Sequence, residues 1–501
     1  MGKLDPAEKQ CRSSRRRALH AFGGITDGER VAHSAQPSTA RWREFVEYAT
    51  APLSRWGRLH LWGMLVLIAA FGAVVEMRSA FLTRRMSDLT VFIRAGWAVR
   101  SGENIYQVSD ERNGWYYVYP PFFAILMAPL AESPPGHDRS WMIPYPITVA
   151  FWYVFNIAML VWSVNKLAGA LEQASPDRAL RAQPAFCRRW WALRVVPIYA
   201  CMIPIGSTLS HGQTNLVILA MLAGMFAAIL QKKPFQAGLW MAGPVCMKVF
   251  PAFLLIYPLW RRDTRCLTGC AAGLLVGLGL LPAVVFGPER TVAYYQEFAD
   301  LVLLPGLGKG DNQARADTLT DLKATDTQSF MAMIHNAMHL DVYTRPANPS
   351  AAVRSIHWGL GAGLTLLVCL TAGWRRPSNP MAEVLFLGLL VMVMMFTSPV
   401  CHLPYFAWLL PIVMVLLILR WENRRTLAVG TGIATLIVLH IAIHVLAHMA
   451  NYPLFAAFRD LGLATYVGLA LGAVALLDLR KQTQPSLTET PEVILDQRAA
   501  A

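Results

Sequence analysis

Asp88 is the residue best placed to do chemistry. It lies in Ser87-Asp88-Leu89-Thr90-Val91-Phe92-Ile93-Arg94-Ala95, directly after the first strongly apolar segment. Ser87 reads as a helix N-cap and Ser101-Gly102 as the stop. The spacing predicts a helix with Asp88 in its first turn, where the helix dipole favours an ionised carboxylate. Ionised is the state a general base requires. Asp88, Phe92 and Ala95 would share one face, at i, i+4 and i+7. Tyr119-Pro120-Pro121 then forces an extended chain before the next apolar run. The bland reading of Asp88 is a solvated loop carboxylate. Glu103, Asp110 and Glu111 are rivals on proximity alone.

Lys248 is the second candidate. It interrupts the apolar stretch 236–260, and a lysine inside a membrane is costly enough to be a functional hypothesis by default. An ammonium at that depth suits an anion such as a phosphate. Snorkelling to an interface or bonding a carbonyl is the alternative. His440, His444 and His448 recur every four residues, on one helix face, but no acidic or Cys partner lies nearby. Cys266 and Cys270 share a face without a second Cys pair or a His. Packing explains both sets, and no metal or cofactor is expected. Of the eight cysteines, Cys401 alone is expected at the outer face, so no disulfide is expected there.

The elements that must position these residues are membrane helices. Of 501 residues, 55% are hydrophobic and 15% charged, with a mean hydropathy of +0.38. Soluble domains carry about 25% charged residues. The net charge of +14 lies mostly in short loops and the N-terminal stretch, where Lys and Arg set orientation; a nucleic-acid partner is therefore excluded. Spans are expected near 61–75, 144–164 and 195–209, then one that returns to Gln231-Lys232-Lys233, and further ones near 267–286, 353–372, 381–396, 405–419, 427–448 and 461–477. The runs 122–130 and 236–260 are too short for one and two crossings respectively, since a crossing needs about 20 residues. They read as embedded, re-entrant segments, with Lys248 near the apex of the second.

This gives an all-α polytopic fold of about 10–12 transmembrane helices. A basic tail (1–59) precedes the multi-span domain (60–480), and a polar tail (481–501) follows. Both tails are expected in the cytoplasm. Two large outer loops, about 77–143 and 287–352, are expected on the opposite side of a plasma (inner) membrane.

The motifs resemble those of glycosyltransferase family 87, polyprenyl-phosphate-mannose-dependent mannosyltransferases of the GT-C type. The similarity covers roughly 60–420 in scattered pieces. It comprises the Asp after the first span, the aromatic-x-x-Ala helix (here Phe92 and Ala95, with Phe where Tyr is usual), Gly102-Glu103-Asn104-Ile105-Tyr106, and Tyr119-Pro120-Pro121. Gly212-Gln213-Thr214-Asn215 is similar to the family's Gly-Gln-x-Asn turn, and Lys248-Val249-Phe250-Pro251 to its Lys-x-x-Pro element. Thr327-Gln328-Ser329 stands where Asn-Gln-Ser is common, and His335-Asn336 occupies the region of a family Arg. Ser398-Pro399-Val400-Cys401-His402 is similar to a further turn.

The resemblance implies a GT-C-like bundle and an inverting transfer of a sugar, mannose by the same token, from a polyprenyl phosphate. The acceptor would be a glycolipid, glycan or protein. A sugar on a lipid phosphate is already activated. The enzyme must position an acceptor hydroxyl, take its proton and stabilise the departing phosphate. Asp88 would be the base. Lys248, Gln213, Gln328, Ser329, His335, His402 and Tyr119 would contact donor or substrate. Capping by Thr214 or Asn215, a satisfied surface His335 and aromatic anchoring by Tyr405 and Trp408 are the plain alternatives. A transporter or flippase of a polyprenyl-linked or amphipathic solute is the rival function, because broken helices and an embedded lysine suit it too. A scaffold of an envelope complex would not explain the motifs.

Overall fold

The computed structural model describes residues 47–110, 114–137, 140–176, 178–306, 322, 327–341, 343–422 and 461–483. Among these, seven helices are long and apolar enough to cross a membrane, or eight if one bent pair counts as a span. The span expected at 427–448, with its three histidines, lies outside the described residues, as do Glu111 and Asp326.

The first span is longer than its apolar core suggested. Helix α1 (Arg55–Glu76) is capped by the Ser54 hydroxyl, which accepts from the Gly57 N–H, and continues as a π turn through Met77–Leu82. Helix α2 (Ser87–Ser101) carries Asp88 in its first turn, as the spacing required, and stops at Gly102 in the left-handed region. Its cap differs from expectation. Ser87 is already helical and the N-cap is Met86. The Thr90 hydroxyl accepts from the Met86 N–H (3.1 Å) and donates to the Met86 carbonyl (2.7 Å), closing on the cap residue's own backbone rather than taking a first-turn N–H as Ser87 was expected to. A two-stranded ribbon, β1 (Ser109–Asp110) and β2 (Trp115–Tyr116), follows. Pro121 opens α3 (Pro121–Met127), which ends in a 3-10 turn to Leu130, the short apolar helix expected there.

Helix α4 (Tyr145–Ala174) is a full span. The crossing expected at 195–209 is instead two helices, α5 (Arg188–Ala200) and α6 (Met202–His211), bent by 63°. Pro197 sits inside α5 and Pro204 near the start of α6, and proline is a usual cause of such kinks. Helix α7 (Asn215–Leu230) is also not a full crossing. Its sixteen residues rise about 24 Å, short of a core about 30 Å thick. Nearly all of α7 is buried.

Helix α8 (Pro234–Met247) breaks at Lys248, whose backbone is extended (φ −141°, ψ 126°). A 3-10 stretch (Phe250–Leu255) and a short helix (Ile256–Trp260) complete the segment, so the lysine does fall at the break. Helix α9 (Thr264–Leu274), extended to Phe286 through a π turn, packs on α8 with backbone almost touching backbone. A Cβ on Gly238 would lie 2.0 Å from the Cys266 carbonyl oxygen, and one on Gly269 2.1 Å from that of Phe235. That fit fixes the helix that ends at Lys248.

Helices α10 (Pro288–Phe298) and α11 (Phe330–Met338) belong to the second large loop. Helix α12 (Ala351–Ala372) precedes α13 (Pro380–Thr397), the fully buried centre of the bundle. A 3-10 stretch (Leu403–Leu409) runs into α14 (Leu410–Glu422), and α15 (Leu463–Thr483) packs on α13. Near the start of α13, Glu383 accepts from the Tyr257 hydroxyl (2.7 Å) and pairs with Arg261 (2.8 Å). Arg261 also bonds the carbonyls of Gly373 and Arg375.

Candidate active site

Four chain breaks converge on one polar network. The first turn of α2 brings Asp88, the α6–α7 turn brings Gln213 and Asn215, the end of α8 brings Lys248, and the 3-10 stretch before α14 brings Tyr405. The Gln213 amide donates to Asp88 Oδ2 (3.3 Å). Asn215 Nδ2 donates to Gln213 Oε1 (2.6 Å). Lys248 Nζ donates to Asn215 Oδ1 (3.3 Å) and to the Tyr405 hydroxyl (3.3 Å). Ser87 Oγ lies 3.3 Å from Asp88 Oδ2.

Gly212 makes the turn possible. It takes φ +70°, and its missing Cβ would lie 2.7 Å from Leu89 Cβ on α2. The Trp152 indole donates to its carbonyl (2.9 Å), and the Trp408 indole to that of Asn215 (2.9 Å).

Lys248 is 5% exposed and boxed by rings: Tyr405 at 4.4 Å, Tyr119 at 5.4 Å and Trp408 at 6.0 Å from Nζ. Tyr405 stacks on both Trp408 and Phe250. Tyr119 is held edge-on by Phe92, so the predicted Asp88/Phe92 face of α2 does reach the lysine box. Among the described residues no carboxylate lies within ion-pair distance of Lys248. Loss of water around Tyr119, reinforced by Tyr405 and the nearby Asp88, pushes its phenol well above the ordinary value, so it acts as a neutral group.

The second large loop reaches the same place through its backbone. Thr327 pairs with His402 as an isolated bridge, and the Gln328 N–H donates to the Cys401 carbonyl (2.6 Å). Ser329 caps α11 and donates to the Pro399 carbonyl (3.0 Å). The His402 ring meets Tyr405 edge-on at 6.1 Å. Gln328, Ser329 and His402 thus form a strap beside the lysine box. His335 is not joined to the network by any hydrogen bond among the described residues. It is buried, bonded to the Pro346 carbonyl (2.9 Å) and packed on His339, and burial lowers its pKa.

Of the rival carboxylates, Asp110 is buried against Arg85 (2.8 Å), and Glu103 is exposed. The contacts of Asn215, Trp152, Trp408 and Arg85 at this site were not read from the sequence. Asn215 entered there as a cap, Trp408 as an aromatic anchor and Asp110 as a rival carboxylate, while Trp152 and Arg85 carried no signal. Among the described residues no group of three or more His, Cys, Asp or Glu gathers as metal ligands, and the described cysteines, Cys401 included, are free and buried.

The sequence pattern of glycosyltransferase family 87 matches residues 117–399, more than half the chain; Asp88, His402 and Tyr405 fall outside the matched stretch. A polyprenol-phosphate-mannose-dependent alpha-(1-2)-phosphatidylinositol mannoside mannosyltransferase of Mycobacterium tuberculosis is 24% identical over 449 residues, 87% of this chain and 95% of that protein. The protein of the same description from Mycolicibacterium smegmatis is 24% identical over 317 residues, 62% of this chain and 63% of that one. Among solved structures, ArnT from Cupriavidus metallidurans bound to undecaprenyl phosphate aligns over 84% of this chain and 78% of its own, at 12% identity and a TM-score of 0.33. This mostly helical, multi-span membrane protein, with this match, belongs to glycosyltransferase family 87.

Proposed function

We propose that this glycosyltransferase moves a sugar, mannose by likeness to its mycobacterial relatives, from a polyprenyl phosphate to a glycolipid, glycan or protein acceptor at the outer membrane face, with inversion. The observation that carries the reading is the polar network that ends in a half-buried carboxylate on one side and, on the other, an enclosed ammonium with no carboxylate partner among the described residues. A buried ammonium among neutral groups favours an incoming anion. In the reaction the acceptor oxygen bonds to the sugar's anomeric carbon as the carbon–oxygen bond to phosphate breaks. Asp88 takes the hydroxyl proton, and the lipid phosphate departs with its charge toward Lys248. A single displacement of this kind inverts the anomeric centre.

Rings and strap residues around Lys248 would exclude water from the leaving group, with Tyr119, Gln328, Ser329 and His402 facing donor or acceptor. His335 is assigned to the strap's support. No cofactor is needed, because the donor's phosphate is itself the leaving group. The transporter or flippase reading has no comparable support, since the family is one of glycosyltransferases. The sidedness follows from the Arg-rich loops: both tails inside, the two large loops outside.

Asp88→Asn tests the assignment, since it nearly preserves shape and removes the charge. Turnover is expected to fall by about 10²–10⁴-fold, with donor affinity little changed. Near-normal turnover of the folded variant refutes the role of Asp88 as base. Intact chemistry with lost donor affinity makes it a sugar-binding residue instead.

A further inference from the structure

The hydrogen-bond chain from Lys248 to Asp88 can run in one direction only. An ammonium has donors and no acceptor; a carboxylate has acceptors and no donor. Lys248 at one end therefore requires Asn215 to present Oδ1, which turns Nδ2 toward Gln213. Asp88 at the other end requires Gln213 to present Nε2, which turns Oε1 toward Asn215. The two requirements agree. Flipping either amide alone would set oxygen against oxygen or nitrogen against nitrogen at their mutual bond, and an end group would lose its partner. Asn215 has no freedom to adapt otherwise: it is fully buried, opens α7, and has its carbonyl held by Trp408.

We propose that Asn215 is a positioning residue that locks the Gln213 amide against Asp88 and thereby ties the aim of the Asp88 carboxylate to the lysine that meets the phosphate. The proposal rests on the reading of Asp88 as the base. A donor held in one direction fixes the carboxylate oxygen it meets, and a reacting group displaced by about 1 Å costs about 10²-fold in rate. Without the lock, Gln213 turns freely and that aim is lost.

The experiment measures kcat and KM of purified enzyme with a polyprenyl-phosphate sugar, in the wild-type and Asp88→Asn backgrounds. Asn215→Leu removes the lock without adding charge, and Gln213→Met removes the donor at nearly constant length. Each is expected to lower kcat by about 10-fold in the wild-type background, as a partly misaimed reacting group would. The double variant is expected to lose no more, since both act through one bond, and neither substitution is expected to lower the residual kcat of Asp88→Asn. If Asn215→Leu does not fold, Asn215→Ser serves, because its hydroxyl is too short to reach both partners. Losses that persist in full on Asp88→Asn, or that add in the double variant, overturn the proposal and leave the base assignment standing. Wild-type kcat in the folded Asn215 and Gln213 variants also overturns it. Near-normal turnover of Asp88→Asn refutes the base assignment itself.

Discussion

Gly212→Ala is a small change with a large expected effect, because two costs meet at one atom. The position has φ +70°, a left-handed conformation that disfavours a residue with a Cβ by about 1–2 kcal/mol. The new Cβ would also lie 2.7 Å from Leu89 Cβ and 2.9 Å from Met86 Sδ. The Met86 thioether can swing away, but Leu89 Cβ is fixed to the α2 backbone. Overpacking of this kind costs about 1–3 kcal/mol, for a total of about 2–5 kcal/mol. The cheapest relief is for α2 to back away from the turn, carrying Asp88 out of reach of Gln213, a contact already 3.3 Å long. A misplacement of about 1 Å at a reacting group costs about 10²-fold in rate. Turnover with a polyprenyl-phosphate mannose donor is therefore expected to fall about 100-fold, with a lowered unfolding temperature in detergent. Donor KM should stay near the wild-type value, because Lys248 hangs from α8. A folded Gly212→Ala enzyme with wild-type kcat would show that the α2–turn contact does not position the base.

Two further predictions concern regions away from the network. Glu383→Leu leaves the Arg261 guanidinium buried without its counter-charge, which should cost about 3–5 kcal/mol of stability, read as an earlier thermal transition. Because α13 runs about 21 Å from Glu383 to its end at Thr397, before Pro399–His402, kcat of the folded fraction should be unchanged, and a stable variant with lost kcat contradicts this. Tyr343→Cys places a thiol at a residue 97% exposed in the second large loop, against described native cysteines that are all buried. An impermeant maleimide should label it in intact cells; labelling only after lysis reverses the topology.

Much of the site was legible because membranes penalise charge. Lys248 declared itself by standing in an apolar run, and Asp88 by following a span in a first-turn position. Gly243-Pro244 and Phe250-Pro251 both read as helix breaks, but α8 runs through Pro244 and the chain breaks only at Lys248, before Pro251. The direction of the Gln213 and Asn215 amides was not legible, because it depends on groups 33 and 125 residues away. The cap of α2 was misplaced by one residue: Ser87 is itself helical, and Thr90 bonds both backbone groups of the cap residue Met86 from inside the helix. The bend between α5 and α6 had a signal in Pro197 and Pro204, but hydropathy alone reads straight through it. Asp110 stood in the sequence as a rival to Asp88 on proximity alone; the fold brings Arg85 to occupy it.

The turn between α6 and α7 makes honorary backbone of two tryptophans. Gly212 follows the last residue of α6, so its buried carbonyl lies past that helix's ladder and still needs a donor. Trp152 supplies one, and Trp408 adds a donor to the carbonyl of Asn215, the first residue of α7. Their ring size fills space that other aromatics could fill, but the single N–H has no substitute in Phe. The tolerance of these two positions to change is therefore set by a proton rather than by volume, and the chain break that exposes the chemistry depends on indoles supplied from distant parts of the chain.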